Sequence, residues 1–276
     1  MLSILSRLEF IASLLPERSV ALTSGCRQLT YSSLIIEVKK RAEWLLETGA
    51  EVVALHADNS IEWILVDLAC QETGTIFIPL PAFFTADQIE GCISLAGIDT
   101  LISDQDSLPD NLGGRKLEPA GSNLFAASQR AMYVWKVPGQ CCRKMPEGTR
   151  KITFTSGSTG SPKGVCLSVA HQWCVAQSLA DTINIKRPRH LCLLPLSTLL
   201  ENIAGVYTPL LSGGEIVIPS DRDRGLQGSS RVDSKMLLEC ITRTQPQTVI
   251  LVPQLLTLLV QACTKGWQPP ASLQFV

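Results

Sequence analysis

Residues 154–165 read FTSGSTGSPKGV. Thr155, Ser156, Ser158, Thr159 and Ser161 are gathered around Gly157, Gly160 and Gly164, with a single lysine, Lys163. Glycines let a backbone turn sharply and approach a ligand closely, so that successive N–H groups can point at an anion. Hydroxyls add further donors, and a lysine supplies a compact positive charge for phosphate oxygens. The pattern is therefore that of a phosphate-holding loop. Its spacing differs from the common nucleotide loop, GxxxxGK followed by Ser or Thr. Lys163 stands three residues after Gly160, behind Pro162 and before Gly164. A P-loop kinase or NTPase is disfavoured on that count. By composition alone, the plain alternative is a solvent-exposed turn rich in Gly and Ser.

The elements that must carry this loop are legible on both sides of it. KITFTS leads in as a strand, and VAHQWCVAQSLADTI follows as a helix. Upstream, MLSILSRLEFIASLLPE has apolar residues at helical spacing, interrupted by Arg7, Glu9 and Glu17, so it reads as an amphipathic helix and not a leader. RQLTY is a short extended piece, and Ser32 or Ser33 is expected to cap the helix ending at Gly49. EVVALHA and TIFIPL read as buried strands around the helix IEWILVDLACQETG, which Asn59 and Ser60 can cap. TADQIEGCISLAG is a helix capped by Thr85, and TLISD is a strand. Downstream, HLCLLPL, EIVIPS and TVILV are strands, while VDSKMLLECITRTQ and QLLTLLVQAC are helices. This rhythm predicts an α/β fold of mostly parallel sheet layers covered by helices. Residues 104–150 are rich in Pro, Gly, Ser and Asn, and SDRDRGLQGSSR is polar; both read as loops. ASLQFV reads as the opening of a further strand.

Composition excludes several classes. Among 276 residues, 45% are hydrophobic and 18% charged, which permits a large core and argues against disorder. A net charge of −1 with no basic block gives no electrostatic reason for nucleic acid or an anionic membrane. The ten cysteines contain no CxxC pair, and several lie in apolar runs such as VDLAC and HLCLLPL. They read as small hydrophobes in a reducing, cytoplasmic protein and not as zinc ligands. From Arg243 to Lys265 no charged residue occurs, but Pro246, Pro253 and the glutamines make this strand and helix core, not a membrane span. Glu201 interrupts an apolar segment, so it is either paired or functional. His56 and His190 fall in strands and read as structural; Trp63 and Trp173 fall on helices and read as core. His171 reads as a residue at a helix start or on its surface.

The twelve-residue string resembles the signature of the adenylate-forming, AMP-binding superfamily: acyl- and aryl-CoA synthetases, luciferases and peptide-synthetase adenylation domains. It fits the pattern Tyr/Phe-T-S-G-S/T-T-G-x-P-K-G-V at every position. The resemblance extends to RQLTYSSL, to the N-S-x-E-W segment at Asn59–Trp63, to LPLSTLLENIAG, which is similar to the fatty-acid branch, and to PQTVILVPQLLTLLV. It implies that residues 1–276 are the N-terminal part of the large AMP-binding domain, with subdomain seams in 104–150 and near 190. The rest of that domain and the small C-terminal domain are expected beyond Val276. It implies an acyl-CoA synthetase, an acid–thiol ligase that adenylates a carboxylic acid, such as a fatty acid, with ATP and passes the acyl group to coenzyme A. Thr155, Ser156, Gly157, Ser158, Thr159, Gly160 and Lys163 would hold the ATP phosphates. Thr198, Leu199, Glu201, Asn202 and Pro253 would border the acyl pocket, although Thr198 replaces the histidine or aromatic usual in that branch. Mg²⁺ is implied as well, but its glutamate and the main catalytic lysine are expected beyond Val276, so this stretch alone is not expected to be active. The alternatives are an adenylation domain serving a carrier protein and a non-catalytic truncated homologue.

Overall fold

The computed structural model describes residues 3–105, 117–121, 131–138, 144–156, 162–227 and 231–276. In chain order it runs α1 (Ile4–Ser13), β1 (Val20–Ser24), β2 (Arg27–Thr30), α2 (Tyr31–Thr48), β3 (Val52–His56), α3 (Ile61–Thr73), β4 (Ile76–Leu80), α4 (Ala86–Ala96) and β5 (Thr100–Ser103). Next come β6 (Glu118–Gly121), β7 (Tyr133–Lys136), β8 (Lys151–Ser156), β9 (Pro162–Leu167), α5 (Val169–Ile183) and β10 (Arg189–Leu191). A continuous helical run follows: α6 (Leu199–Asn202), one π-helical turn (Ile203–Tyr207) and α7 (Thr208–Leu211). The last elements are β11 (Glu215–Val217), β12 (Leu226–Gln227), β13 (Arg231–Val232), α8 (Ser234–Thr244), β14 (Thr248–Val249) and α9 (Pro253–Thr264).

The chain divides into two compact units. One comprises residues 1–7, 35–58 and 62–172. Its sheet has the order β6-β7-β5-β3-β4-β8-β9, with β5, β3, β4 and β8 parallel and the flanking strands antiparallel. The parallel centre explains the sequence: β3 is VVALH, buried at every position, because helices cover both faces of such a sheet. Ile78, Leu80, Ile89, Ile93, Leu101 and Trp135 belong to one apolar cluster of this unit. Trp63 is fully buried edge-on to Phe77, as its helical position predicts. Helix α4 starts at the predicted Thr85, whose hydroxyl accepts from the Gln88 N–H while the Gln88 side chain accepts from the Thr85 N–H.

The other unit comprises residues 8–34, 59–61 and 173–276. Its sheet has the order β14-β10-β11-β1-β2, parallel except for β2. Leu191, Leu193, Val217, Leu237, Ile241 and Leu255 share its second apolar cluster. Phe275 makes a parallel bridge to Thr248, so ASLQFV does begin to pair beside β14. Among the described residues, no helix is long and apolar enough to cross a membrane.

Three local expectations are corrected. Helix α2 begins at Tyr31, and Thr30 Oγ1 accepts from the Ser33 N–H at 3.2 Å, so Thr30 takes the role expected of Ser32 or Ser33. HLCLLPL is a strand only through Leu191; the Cys192 N–H still donates to Val217 O, but the backbone groups of Leu193, Leu194 and Leu196 bond side chains described below. Residues 162–165, read as part of a loop, lie in strand β9.

Candidate functional site

The glycine–hydroxyl string lies on a β hairpin. Strands β8 and β9 pair antiparallel over their full length, with Lys151 opposite Leu167, Thr155 opposite Lys163 and Ser156 opposite Pro162. Gly157, Ser158, Thr159 and Gly160 lie outside the described residues. The register still places the backbones of Thr155 and Ser156 and the exposed Lys163 at the end of the ladder that adjoins them in sequence. Gly164 is required by the hairpin's packing: a Cβ there would stand 2.9 Å from Ile152 Cγ2. Strand β8 is rooted in the core. Its first residue, Lys151, is completely buried against Asp67 of α3. Such a hairpin can offer backbone N–H groups, hydroxyls and one ammonium to a phosphate.

The second unit holds an apolar cavity of about 280 Å³. Leu179 and Ile183 of α5, Leu200 and Ala204 of the α6–π–α7 run, and Val249 and Leu251 are among its walls. Trp173 of α5 stacks on Tyr207 with ring centroids 4.9 Å apart, and the Thr208 hydroxyl donates to Ile203 O, so helix α5 and the π turn are fastened beside this space.

One wall is polar. His190, on β10, is 1% exposed and satisfied on both ring nitrogens. Nδ1 lies 3.0 Å from Thr248 Oγ1, and Nε2 lies 3.0 Å from Glu201 Oε1. Glu201 is fully buried, and its second oxygen accepts from the Leu194 N–H at 3.2 Å. Of the two readings open for Glu201, pairing is realised. The π turn brings Gly205 against this pair; a Cβ there would lie 2.6 Å from Glu201 Oε1 and 2.7 Å from His190 Nε2. Helices adopt single π turns frequently at functional sites.

The segment from Cys192 to Leu196 is held by Asn59. Its carboxamide donates to Leu194 O at 2.7 Å and accepts from the Leu196 N–H at 2.8 Å. Asn59 therefore bridges to residues far along the chain. Arg224 adds a bond to Leu193 O at 2.8 Å. The buried Cys192 thiol is pushed well above its ordinary value by burial, with the Glu201 carboxylate adding to the rise.

None of the sequence-selected acyl residues is among the described residues that line the cavity. Thr198 precedes α6 and donates to Pro195 O at 2.7 Å; Leu199 opens α6; Glu201 and Asn202 are buried; Pro253 is exposed at the first turn of α9. Their neighbours Leu200 and Ala204 form the cavity wall. His190, Gly205 and Asn59 were not selected. An acid in an apolar run opposite a strand histidine was the available signal for the first. His171 is exposed in the first turn of α5.

Among curated proteins, nonribosomal peptide synthetase 8 of Aspergillus fumigatus is 26% identical over 253 residues, covering 88% of this chain and 3% of that protein. The dimodular nonribosomal peptide synthase of Bacillus subtilis is 30% identical over 215 residues, covering 75% of this chain and 9% of that one. The chain thus spans a small part of the length of these relatives. Among solved structures, o-succinylbenzoate CoA synthetase of Bacillus subtilis, in complex with its acyl-adenylate intermediate, matches with a TM-score of 0.69 at 20% identity, over 97% of this chain and 66% of that one. The nonribosomal peptide synthetase FmoA3 matches with a TM-score of 0.75 at 19% identity, over 99% of this chain and 28% of that one. These structures share the fold. A sequence model of the AMP-binding enzymes matches residues 12–276. Because that match takes in both sheets, the β8–β9 hairpin and the cavity wall, the chain belongs to the AMP-binding enzyme family.

Proposed function

We propose that the protein carrying this chain is an AMP-forming carboxylate ligase, an acid–thiol ligase of the acyl-CoA synthetase type. A carboxylate oxygen attacks the α-phosphorus of ATP, the bond from that phosphorus to the β-phosphate bridge breaks, and pyrophosphate leaves. The thiol of coenzyme A then attacks the acyl carbon as its sulfur is deprotonated, and AMP departs. Such transfers depend on positioning and charge stabilisation more than on covalent help from the protein.

The observation that carries this reading is the β8–β9 register, which sets Lys163 opposite Thr155 at the base of the family's phosphate-loop sequence. Thr155, Ser156, Gly157, Ser158, Thr159, Gly160 and Lys163 are assigned to the β- and γ-phosphates. The apolar cavity beside Leu200 and Ala204 is assigned to the body of the acid. Thr198, Leu199, Glu201, Asn202 and Pro253 are assigned to the border of the acyl site, outside the lining of that cavity. Mg²⁺ would accompany ATP, largely through the phosphates. Among the described residues no group of three or more His, Cys, Asp and Glu side chains could hold a metal, and no step is assigned to it here. ATP, coenzyme A and the free, partly buried cysteines suit a cytoplasmic setting.

A second reading takes a carrier protein as the thiol acceptor. The curated relatives named as nonribosomal peptide synthetases favour it. Carboxylate-dependent ATP–pyrophosphate exchange tests the first half-reaction for both readings. Acyl transfer to coenzyme A against transfer to a phosphopantetheine-bearing carrier separates them. Absence of exchange with every acid in a panel of short, long and aromatic acids would overturn the ligase reading.

A further inference from the structure

Strand β8 leaves the sheet almost as soon as it joins it. Among the described residues, β4 and β8 share a single ladder position, Phe77 opposite Lys151. The Phe77 N–H donates to Arg150 O at 2.9 Å. Backbone groups alternate sides along a strand, so the next donor of β4 on this side would be residue 79. That residue is Pro79, which has no N–H to give, and the ladder ends before it. From Ile152 onward the described pairing of β8 is with β9, the edge strand of the sheet. Beyond the one rung, the hairpin is held in two ways. Ile152 is buried in an apolar cluster, with Phe154 and Cys166 packed against it, and such contact is non-directional. The Lys151 ammonium is held directionally: its Nζ lies 2.9 Å from one Asp67 oxygen and 3.1 Å from the other, and both side chains are fully buried. All of these residues belong to one compact unit.

We infer that Asp67 is a positioning residue: by fixing Lys151 it sets the angle at which the β8–β9 hairpin leaves the sheet, and so where Lys163 meets the phosphates of ATP. The inference rests on the assignment of this hairpin to those phosphates. Strand β8 has six residues, from Lys151 to Ser156. At about 3.3 Å per residue its far end lies ~16 Å from the pinned one, so a tilt of ~5° moves that end by ~1.4 Å. A misplacement of about 1 Å can cost on the order of 100-fold in rate. Lys163 stands opposite Thr155, near the moving end. It travels with β8 because the strands are closely packed at Gly164, where a Cβ would lie 2.9 Å from Ile152 Cγ2 and 3.4 Å from Phe154 Cε1. A buried ion pair can often be replaced by apolar side chains with no loss of stability. Apolar side chains do not reproduce the fixed direction of the bonds from Nζ to the carboxylate. Stability and position are therefore separable at this pair, and position is the part that bears on ATP.

The experiment uses the intact protein that carries this chain and compares two changes that move stability and position in opposite directions. Lys151→Met with Asp67→Leu removes the directional bonds and should keep most of the stability in urea unfolding. Asp67→Asn is the conservative variant. It keeps an acceptor for Lys151 in the same place but leaves the ammonium without its counter-charge, so it should be less stable than the double variant. In ATP–pyrophosphate exchange the double variant should have a kcat/KM for ATP lower by about 10- to 100-fold, with the KM of the acid changed by less than about twofold. Asp67→Asn should stay within about threefold of the wild type for ATP, since its bond to Lys151 persists. A folded double variant with wild-type ATP kinetics overturns the inference. So does ATP use that simply follows stability across the two variants, or a loss shared equally by ATP and the acid. If the double variant does not fold, Asp67→Ala against Asp67→Asn decides. Ala offers no acceptor and should lower kcat/KM for ATP by about tenfold or more relative to Asn, and equal values overturn the inference. Should no acid support exchange in the wild type, the ligase reading falls, and calorimetric titration with ATP and AMP decides the inference alone. Weaker ATP binding in the double variant with AMP binding kept upholds it; unchanged ATP binding, or a wild type that binds no ATP, overturns it.

Discussion

Lys151 Nζ lies 2.9 Å from Asp67 Oδ1, and neither side chain has exposed surface. The ammonium also stands 5.3 Å from the centre of the Phe77 ring. Burial holds the lysine below the usual amine value, while the Asp67 charge and hydrogen bond oppose that fall. The pair joins α3 to the first residue of β8, the strand whose far end carries the start of the glycine–hydroxyl string. A charge is thus used inside the sheet to root the hairpin.

Lys151→Met leaves the Asp67 carboxylate buried without its cation. The expected cost is about 3–5 kcal/mol in urea unfolding, the usual penalty for breaking a buried pair from one side. Replacing both partners, Lys151→Met with Asp67→Leu, should restore most of that loss, because two apolar side chains need no desolvated charge. A double variant as unstable as the single one would show that the pair itself is not the source of the stability.

Asn59 supplies a second long-range tie. Its carboxamide meets Leu194 O and the Leu196 N–H, backbone groups that leave strand pairing after Leu191. Asn59→Ala should cost about 2–4 kcal/mol, since both buried backbone groups lose their partner. Asn59→Asp should be almost as damaging: its carboxylate can accept from Leu196 but faces the Leu194 carbonyl. Thermal unfolding of the two variants tests this, and Asp behaving like wild type would contradict the assigned bonds.

These ties also explain what could be read in the sequence. β3, β4 and β5 were legible because a parallel sheet covered on both faces demands continuous apolar runs. Helix α4 was legible because its capping box is local. Strand β9 was hidden by Pro162 and Gly164, which look like loop residues; as an edge strand it tolerates both. The pairing of β1 with β11 and the bonds of Asn59 join residues far apart in the chain, which no local pattern records. The π turn has no compositional signature. The Glu201–His190 pair needs the strand and the helix to be placed before it can be seen.

Cys92 gives a pH dependence of defined sign. Burial pushes its thiol from 9.0 to about 12. The unfolded chain releases this proton near pH 9 and the folded chain only near 12, so stability is unaffected below pH 9 and falls as pH rises between the two values. The slope contributed is at most about 1.4 kcal/mol per pH unit. Cys92→Ala loses some packing at every pH, but its stability should fall less steeply than the wild type's between pH 9 and 10.5. Parallel curves from urea unfolding at matched pH values would remove Cys92 as the source.

Lys163 is the second residue of β9, exposed and paired across the ladder with Thr155. Under the proposed ligase reading its ammonium acts as a point charge on the β- and γ-phosphates of ATP. AMP lacks both groups. Lys163→Ala should therefore weaken ATP and pyrophosphate binding by about 10- to 100-fold, the worth of one charge-assisted contact, and change AMP binding little. Because the side chain is exposed, the fold should tolerate the change, and circular dichroism of the variant should match the parent. Titrating ATP, pyrophosphate and AMP against both proteins by calorimetry separates the terms. An equal loss for all three would place the lysine on the nucleoside or the α-phosphate, and no loss for any would remove it from the site.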